Sequence, residues 1–203
     1  MFDIQIRKKI DPWLDRIALG FVRLGITANT ITWFGFVYGI AGAFCVANGA
    51  YTAAFALILI NRICDGLDGC VARHSGPSDL GGFLDIALDM IFYSSIPFGF
   101  AVASSINALP AAFLIFSFAG TGCSFLAFAI ISAKRGLTAD REGKKSFFYS
   151  TGLIEGTETI LFLLVICLVP LHFPLLAWVF GSLCWITTAI RITIASQVFR
   201  GDL

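Results

Sequence analysis

Three stretches of the chain contain no Asp, Glu, Lys or Arg: 24–61, 90–133 and 159–190, of 38, 44 and 32 residues. A helix that spans a bilayer needs about 20 apolar residues. Each stretch therefore holds most of a helical hairpin that crosses and returns, with some helix ends running into the charged flanks. The pattern predicts six spans, at roughly 28–48, 51–73, 82–104, 109–133, 152–170 and 174–198. Ahead of them, residues 3–23 interleave Ile4, Ile6, Ile10, Trp13, Leu14, Ile17 and Phe21 with Arg7, Lys8, Lys9, Arg16 and Arg23. That pattern predicts an amphipathic helix lying in the membrane interface, apolar face in the acyl boundary and basic face towards anionic head groups. Its simplest role is anchoring.

The turns inside the charge-free stretches, near Asn48-Gly49, Asn107–Pro110 and Pro170–Pro174, carry no charge apart from the titratable His172. All 14 Lys and Arg residues fall on the opposite side. The positive-inside rule makes that side cytoplasmic, and an even number of spans puts both termini there. The first apolar run follows a charged segment, so no cleavable signal peptide is expected. The expected fold class is thus an all-α integral membrane protein: an interfacial helix at 3–23, then a six-helix bundle at 28–198, forming a single domain over 1–203.

Composition agrees. Hydrophobic residues make up 58% of the 203 and charged residues only 13%, against about 25% charged in a soluble domain. No basic run suggests a nucleic-acid partner; membrane lipids are the expected surroundings. The six cysteines (45, 64, 70, 123, 167, 184) mostly lie inside spans without a Cys-x-x-Cys. At that depth a thiol behaves as a small apolar residue, and neither disulfides nor zinc are expected.

Against this background four aspartates stand out: Asp65, Asp68, Asp85 and Asp89. An ionisable residue in a span is a functional-site candidate by default. Asp65 and Asp68 are three apart, Asp85 and Asp89 four apart, so each pair shares a helix face. Two antiparallel helices joined by a short loop can bring all four to one point near the cytoplasmic face. Pairing with Arg62 and Arg73 cannot neutralise four carboxylates. Oxygen-only ligands favour Mg²⁺, Mn²⁺ or Ca²⁺ over zinc, and two metals bridged by carboxylates form a clamp for phosphoryl transfer. Gly69 and Ala72 leave room for a ligand beside the carboxylates, and Arg73 can meet a phosphate with a planar fork of donors.

The pattern Asp65-x2-Asp68-Gly69-x2-Ala72-Arg73, a gap of seven residues, then Gly81-x3-Asp85-x3-Asp89 resembles the signature of the CDP-alcohol phosphotransferases. The gap is one short of the usual eight or so, which implies a slightly shorter loop. Asn29-x2-Thr32 at the start of the first span is similar to a family segment near the nucleotide. The resemblance implies two Mg²⁺ or Mn²⁺ ions held by Asp65, Asp68 and Asp85, with Asp89 ligating one and accepting the acceptor's proton. It implies CDP contacts from Gly69, Ala72, Arg73, Ser78 and Gly81, with Asn29 and Thr32 nearby. The implied reaction moves a phosphatidyl group from CDP-diacylglycerol to the hydroxyl of a small polar alcohol, with or without a phosphate of its own, releasing CMP. A homodimer in a prokaryotic cytoplasmic membrane, with the site on the cytoplasmic side, completes the expectation.

The acceptor is less legible. The basic cluster Lys134, Arg135, Lys144 and Lys145 faces the metal side, and Arg191 lies in the cytoplasmic half of the sixth span. Lys134, Arg135 and Arg191 together can bind a phosphorylated acceptor such as glycerol 3-phosphate or an inositol phosphate, although the positive-inside bias explains the loop cluster equally well. The segment Gly152–Thr159 is similar to a Gly-Leu-x-Glu-Arg-x-Glu-Arg segment of the inositol-phosphate-using members, but Gly156 and Thr159 replace the two arginines. Glu155 and Glu158 point instead to hydroxyl or amine recognition, or to pairing with Arg191. His74 and His172 carry little weight. Two rival readings remain: an aspartate-rich membrane prenyltransferase, whose pattern lacks the Gly69-x2-Ala72-Arg73 element, and a divalent-cation transporter, which needs polar steps across the whole bilayer.

Overall fold

The structure, a computed structural model, describes residues 2–136, 154 and 156–200, with side chains from Trp13 onward. The described helices are α1 (Phe2–Arg23), α2 (Ala28–Ala47), α3 (Tyr51–Ser75), α4 (Asp79–Ala103), α5 (Ala108–Lys134), α6 (Gly156–Leu168) and α7 (Phe173–Arg200). Short 3-10 turns at Ser105–Asn107 and Pro170–His172 lead into α5 and α7. No strand occurs among the described residues.

Among the described residues, four helical segments are long and apolar enough to cross a membrane: Ala28–Ala47, Asp79–Ala103, Ser105–Lys134 and Pro170–Arg200. The helix α3 has the length, at 25 residues, but carries Arg62, Asp65, Asp68 and Arg73. The described part of α6 spans 13 residues, and the polar segment before it, Ile154 apart, lies outside the described residues. Large side chains on the outer faces are exposed, among them Phe44, Phe98, Leu109 and Leu171. Such apolar cover suits hydrocarbon and not water.

Local chemistry sets the helix ends. Thr27 caps α2, its hydroxyl accepting from the Thr30 N–H at 3.3 Å, and Ser78 caps α4 in the same way for Gly81 at 3.1 Å. Each supplies an acceptor for one of the unpaired donors at a helix start. Gly76, at φ 98°, ends α3, where a residue with a Cβ would be strained. The loop between α3 and α4 is therefore only Gly76-Pro77-Ser78, and both helices pack against α2. With Ser78 as cap, α4 starts three residues before the position expected from charge patterning.

Small residues fix how closely α2 approaches its neighbours. A Cβ on Gly35 would lie 2.8 Å from Cys64 Cβ, and one on Gly39 would lie 2.6 Å from Phe92. Close approach over small residues is the usual route to helix packing in membranes. Phe92, Ile96 and Phe100 of α4 carry on into a core with Leu114, Leu163, Phe173 and Ala177. A second, smaller core of Ala18, Ile31, Leu67, Cys70 and Val71 seats α1 against α2 and α3. Gly66 belongs to this contact, since its missing Cβ would stand 2.9 Å from Leu14 Cδ1.

Candidate metal centre and adjoining cavity

Helices α3 and α4 bring the four aspartates to one cleft, which Thr32 and Arg62 also line. One carboxylate oxygen from each of Asp65, Asp85 and Asp89 lies within 4.8 Å of the others. Asp68 is buried, and its Oδ2 lies 2.6 Å from the Thr32 hydroxyl. A hydroxyl that reaches a carboxylate in this way fixes its orientation. The donor set is oxygen throughout and near enough in geometry to share a hard divalent cation.

Arg62 enters the same cleft. Its Nη2 donates to Asp89 Oδ1 at 2.7 Å and its Nη1 to Oδ2 at 3.4 Å. Nη1 is also 3.2 Å from the Tyr93 hydroxyl and 3.5 Å from Asp65 Oδ2. Its Nε donates to Asn61 Oδ1 at 2.7 Å. Asn61 in turn donates to the Gly35 carbonyl at 2.9 Å. The guanidinium lies 4.7 Å from the Phe92 ring centre, and the side chain is 9% exposed. Tyr93 adds a donor to Asp89 Oδ2 at 3.1 Å. A forked, charge-assisted pair of this kind is among the strongest in proteins. Charge alone could not have shown that Arg62 lies between Asp65 and Asp89. The signal was nonetheless in the spacing: Arg62 precedes Asp65 by three residues and Tyr93 follows Asp89 by four, so both extend the aspartate faces by one turn.

Arg73 sits elsewhere. Its Nη2 lies 2.9 Å from Cys70 Sγ and 3.6 Å from Asp15 Oδ1 of α1, and His74 Nε2 is 3.6 Å from the same oxygen. Of the remaining expected donor-side residues, Asn29, Ser78 and Gly81 come together: a Cβ on Gly81 would meet Asn29 Oδ1 at 3.0 Å and Ser78 Oγ at 3.1 Å. Gly69 differs from Gly66. A Cβ there would meet only Arg73 Nη1, at an ordinary 3.8 Å, so close helix packing does not account for this glycine. Ala72 is half-buried on the same stretch of α3.

Asp85 and Asp89 face a second space. A cavity of about 620 Å³ opens beside them, among α4, α5, α6 and α7, and Tyr93, Thr121, Thr159 and Arg191 line it with them. Arg191 is 8% exposed. Its Nη1 donates to the Thr121 carbonyl at 2.8 Å and to Ser124 Oγ at 3.0 Å, and the guanidinium stands 5.5 Å from the Phe125 ring. Gly156 and Thr159 line the same cavity. Lys134 and Arg135 do not line it; Arg135 donates to the Phe199 carbonyl at 2.8 Å and covers the Phe199 ring. Glu155, Lys144 and Lys145 lie outside the described residues.

Known proteins place this arrangement. The family model for CDP-alcohol phosphatidyltransferase matches residues 25–195. The inner membrane protein YnjF of Escherichia coli is 46% identical over 193 residues, 95% of this chain and 94% of that one. The archaetidylinositol phosphate synthase of Pyrococcus horikoshii is 33% identical over 104 residues, 51% of this chain and 55% of its own. The fold is that of Mycobacterium tuberculosis phosphatidylinositol phosphate synthase, solved with CDP-DAG bound: TM-score 0.67, 22% identity, 90% of this chain and 92% of that chain. The match covers the four aspartates and every helix from α2 to the greater part of α7, and the chain belongs to the CDP-alcohol phosphatidyltransferase family.

Proposed function

We propose that the protein transfers a phosphatidyl group from CDP-diacylglycerol to the hydroxyl of a small polar alcohol, with or without a phosphate of its own, and releases CMP. The observation that carries this reading is the convergence of Asp65, Asp85 and Asp89 within 4.8 Å, with Asp68 held beside them by Thr32, in a chain of this family. A prenyltransferase or a cation transporter is not favoured by that membership.

Asp65, Asp68, Asp85 and Asp89 would hold two divalent cations, Mg²⁺ or Mn²⁺, whose charge neutralises a diphosphate and stabilises the departing CMP. A relative of the same fold was solved with manganese and citrate, and the all-oxygen donor set here suits that ion. Asn29, Thr32, Gly69, Ala72, Arg73, Ser78 and Gly81 form the donor side. Gly69 lets the nucleotide approach the α3 backbone, and Arg73 exchanges Asp15 for phosphate oxygens. Asp89 takes the proton of the acceptor hydroxyl. The hydroxyl oxygen then bonds to the β-phosphorus as the bond to the bridging oxygen breaks. The acceptor occupies the cavity of about 620 Å³, where Arg191 and Thr159 supply polar contacts.

The chain acts as a single membrane domain of six spans, with α3 and α6 completing the four apolar ones. Its N-terminal helix lies in the interface, both termini and the site face the cytoplasm of a prokaryotic cell, and two copies form a homodimer. Supporting this topology, all the charge-free turns fall on one side and the basic residues on the other. The test is CMP formation by the purified protein with CDP-diacylglycerol, Mg²⁺ or Mn²⁺ and a panel of acceptors: glycerol 3-phosphate, inositol phosphate, inositol and serine. The reading expects metal-dependent CMP with one acceptor and a matching new phospholipid. No CMP with any acceptor, together with metal flux in vesicles, would replace it with a transporter.

A further inference from the structure

Both oxygens of Asp89 are engaged: Oδ1 by Arg62 Nη2, Oδ2 by Arg62 Nη1 and the Tyr93 hydroxyl. To turn both oxygens to a cation, or to take a proton at Oδ2, Asp89 must exchange at least one of these partners. Arg62 cannot easily swing away. Asn61 holds its Nε, Gly35 holds Asn61, and Phe92 and Tyr93 flank its guanidinium, with ring centres at 4.7 and 5.5 Å. A Cβ on Gly39 would meet both Phe92 and Asn61, so the α2 glycines are what allow this bracket to close.

Charge bears on the same point. Asp65, Asp68, Asp85, Asp89 and Arg62 carry a formal net charge of −3. One divalent cation leaves −1, which an enclosed oxygen cage tolerates. A second gives +1 beside a fixed guanidinium, an unfavourable sum away from bulk water. The negative diphosphate of the donor reverses that sign.

We propose that Arg62 is a positioning residue that sets the order of metal loading, standing as the counter-charge of Asp89 until the donor's diphosphate brings the second divalent cation. The proposal rests on the metal-dependent reading of the site given above. In it the chain binds one cation at Asp65 and Asp85 without nucleotide, while the Asp89 oxygens, one within 4.8 Å of theirs, stay in the Arg62 fork. Asp89 leaves the Arg62 fork only when nucleotide is present, so the base is freed for the acceptor's proton only on a loaded site.

The test is a Mn²⁺ titration of the full chain in detergent, read by electron paramagnetic resonance of free Mn²⁺, with and without CDP. The wild type is expected to bind one Mn²⁺ alone and a second at least about tenfold more tightly when CDP is present. Arg62→Gln is expected to bind two Mn²⁺ without CDP, whereas Arg62→Lys, which keeps the charge, retains the dependence on CDP. Arg62→Met, whose apolar stem still covers Phe92, makes the same prediction as Arg62→Gln should that variant fail to fold. Two Mn²⁺ of similar affinity in the wild type without CDP, or an unchanged CDP dependence in both Arg62→Gln and Arg62→Met, overturns the proposal while leaving the transferase reading intact. No Mn²⁺ bound under any condition overturns both.

Discussion

The two sides of Asp85 and Asp89 are built differently. Towards α2 and α3 lies a narrow cleft in which the polar groups bond to each other: Thr32 to Asp68, Arg62 to Asp89, Asn61 to Gly35. Towards α5, α6 and α7 lies a cavity of about 620 Å³ with wide apolar walls and the buried Arg191 at its edge. The first side suits a constant task, holding a diphosphate and its cations. The second has room for variation in what it admits.

The largest effect expected from breaking this division is at the shared wall. Asp89→Asn should lower CMP release by about 10³-fold, within the range for loss of a general base, while CDP affinity stays within about threefold. Near-normal turnover would remove Asp89 as the base. On the cleft side, Thr32→Val takes away the hydroxyl that orients Asp68, and a change at such a supporting group typically costs about 10- to 100-fold in metal affinity. Mn²⁺ titration checks it; unchanged affinity would make the Thr32 contact incidental.

On the cavity side, Arg191→Ala should raise the acceptor KM about tenfold, the size of one lost charge-assisted hydrogen bond, with the donor KM unchanged. An unchanged acceptor KM with a lower melting temperature would instead mean that Arg191 only ties α7 to α5 through Thr121 and Ser124. The smallest effect separates two glycines. Gly39→Ala forces a Cβ to within 2.6 Å of Phe92 and should destabilise by about 1–3 kcal/mol. Gly69→Ala meets nothing nearer than 3.8 Å and should leave the melting temperature level or raised while increasing the donor KM. Thermal unfolding in detergent, paired with donor kinetics, distinguishes them.

The same division explains what the sequence made legible. The cleft is nearly local: its aspartates sit three and four apart on two helices joined by three residues, so helical spacing puts each pair on one face, and α2, packed on both helices, brings the pairs to one cleft. Gly69, Ala72 and Arg73 fall in the same run. Arg62 was legible as a counter-charge and, by its spacing, as part of the Asp65 face, but its contact with Asp89 spans 27 positions and depends on the α2 glycines letting Phe92 and Asn61 close around it. The cavity is not local at all. Arg191 reaches Thr121 across 70 positions, and no periodicity encodes which face of α7 turns to which face of α5. Arg135 shows the limit of charge counting, since beside Arg191 in sequence reasoning it lies instead against Phe199. Helix edges were legible to within a few residues, and where they moved, at Ser78 and Gly76, a cap or a positive φ decided.

The central claim is that the four aspartates form one metal-dependent centre for the donor's diphosphate. Calorimetric titration of CDP into the purified chain, in Mn²⁺ and again in excess EDTA, tests it most directly. The account predicts binding with Mn²⁺, none detectable with EDTA, and none in either condition for Asp65→Ala. Equal CDP affinity with and without the metal would contradict it.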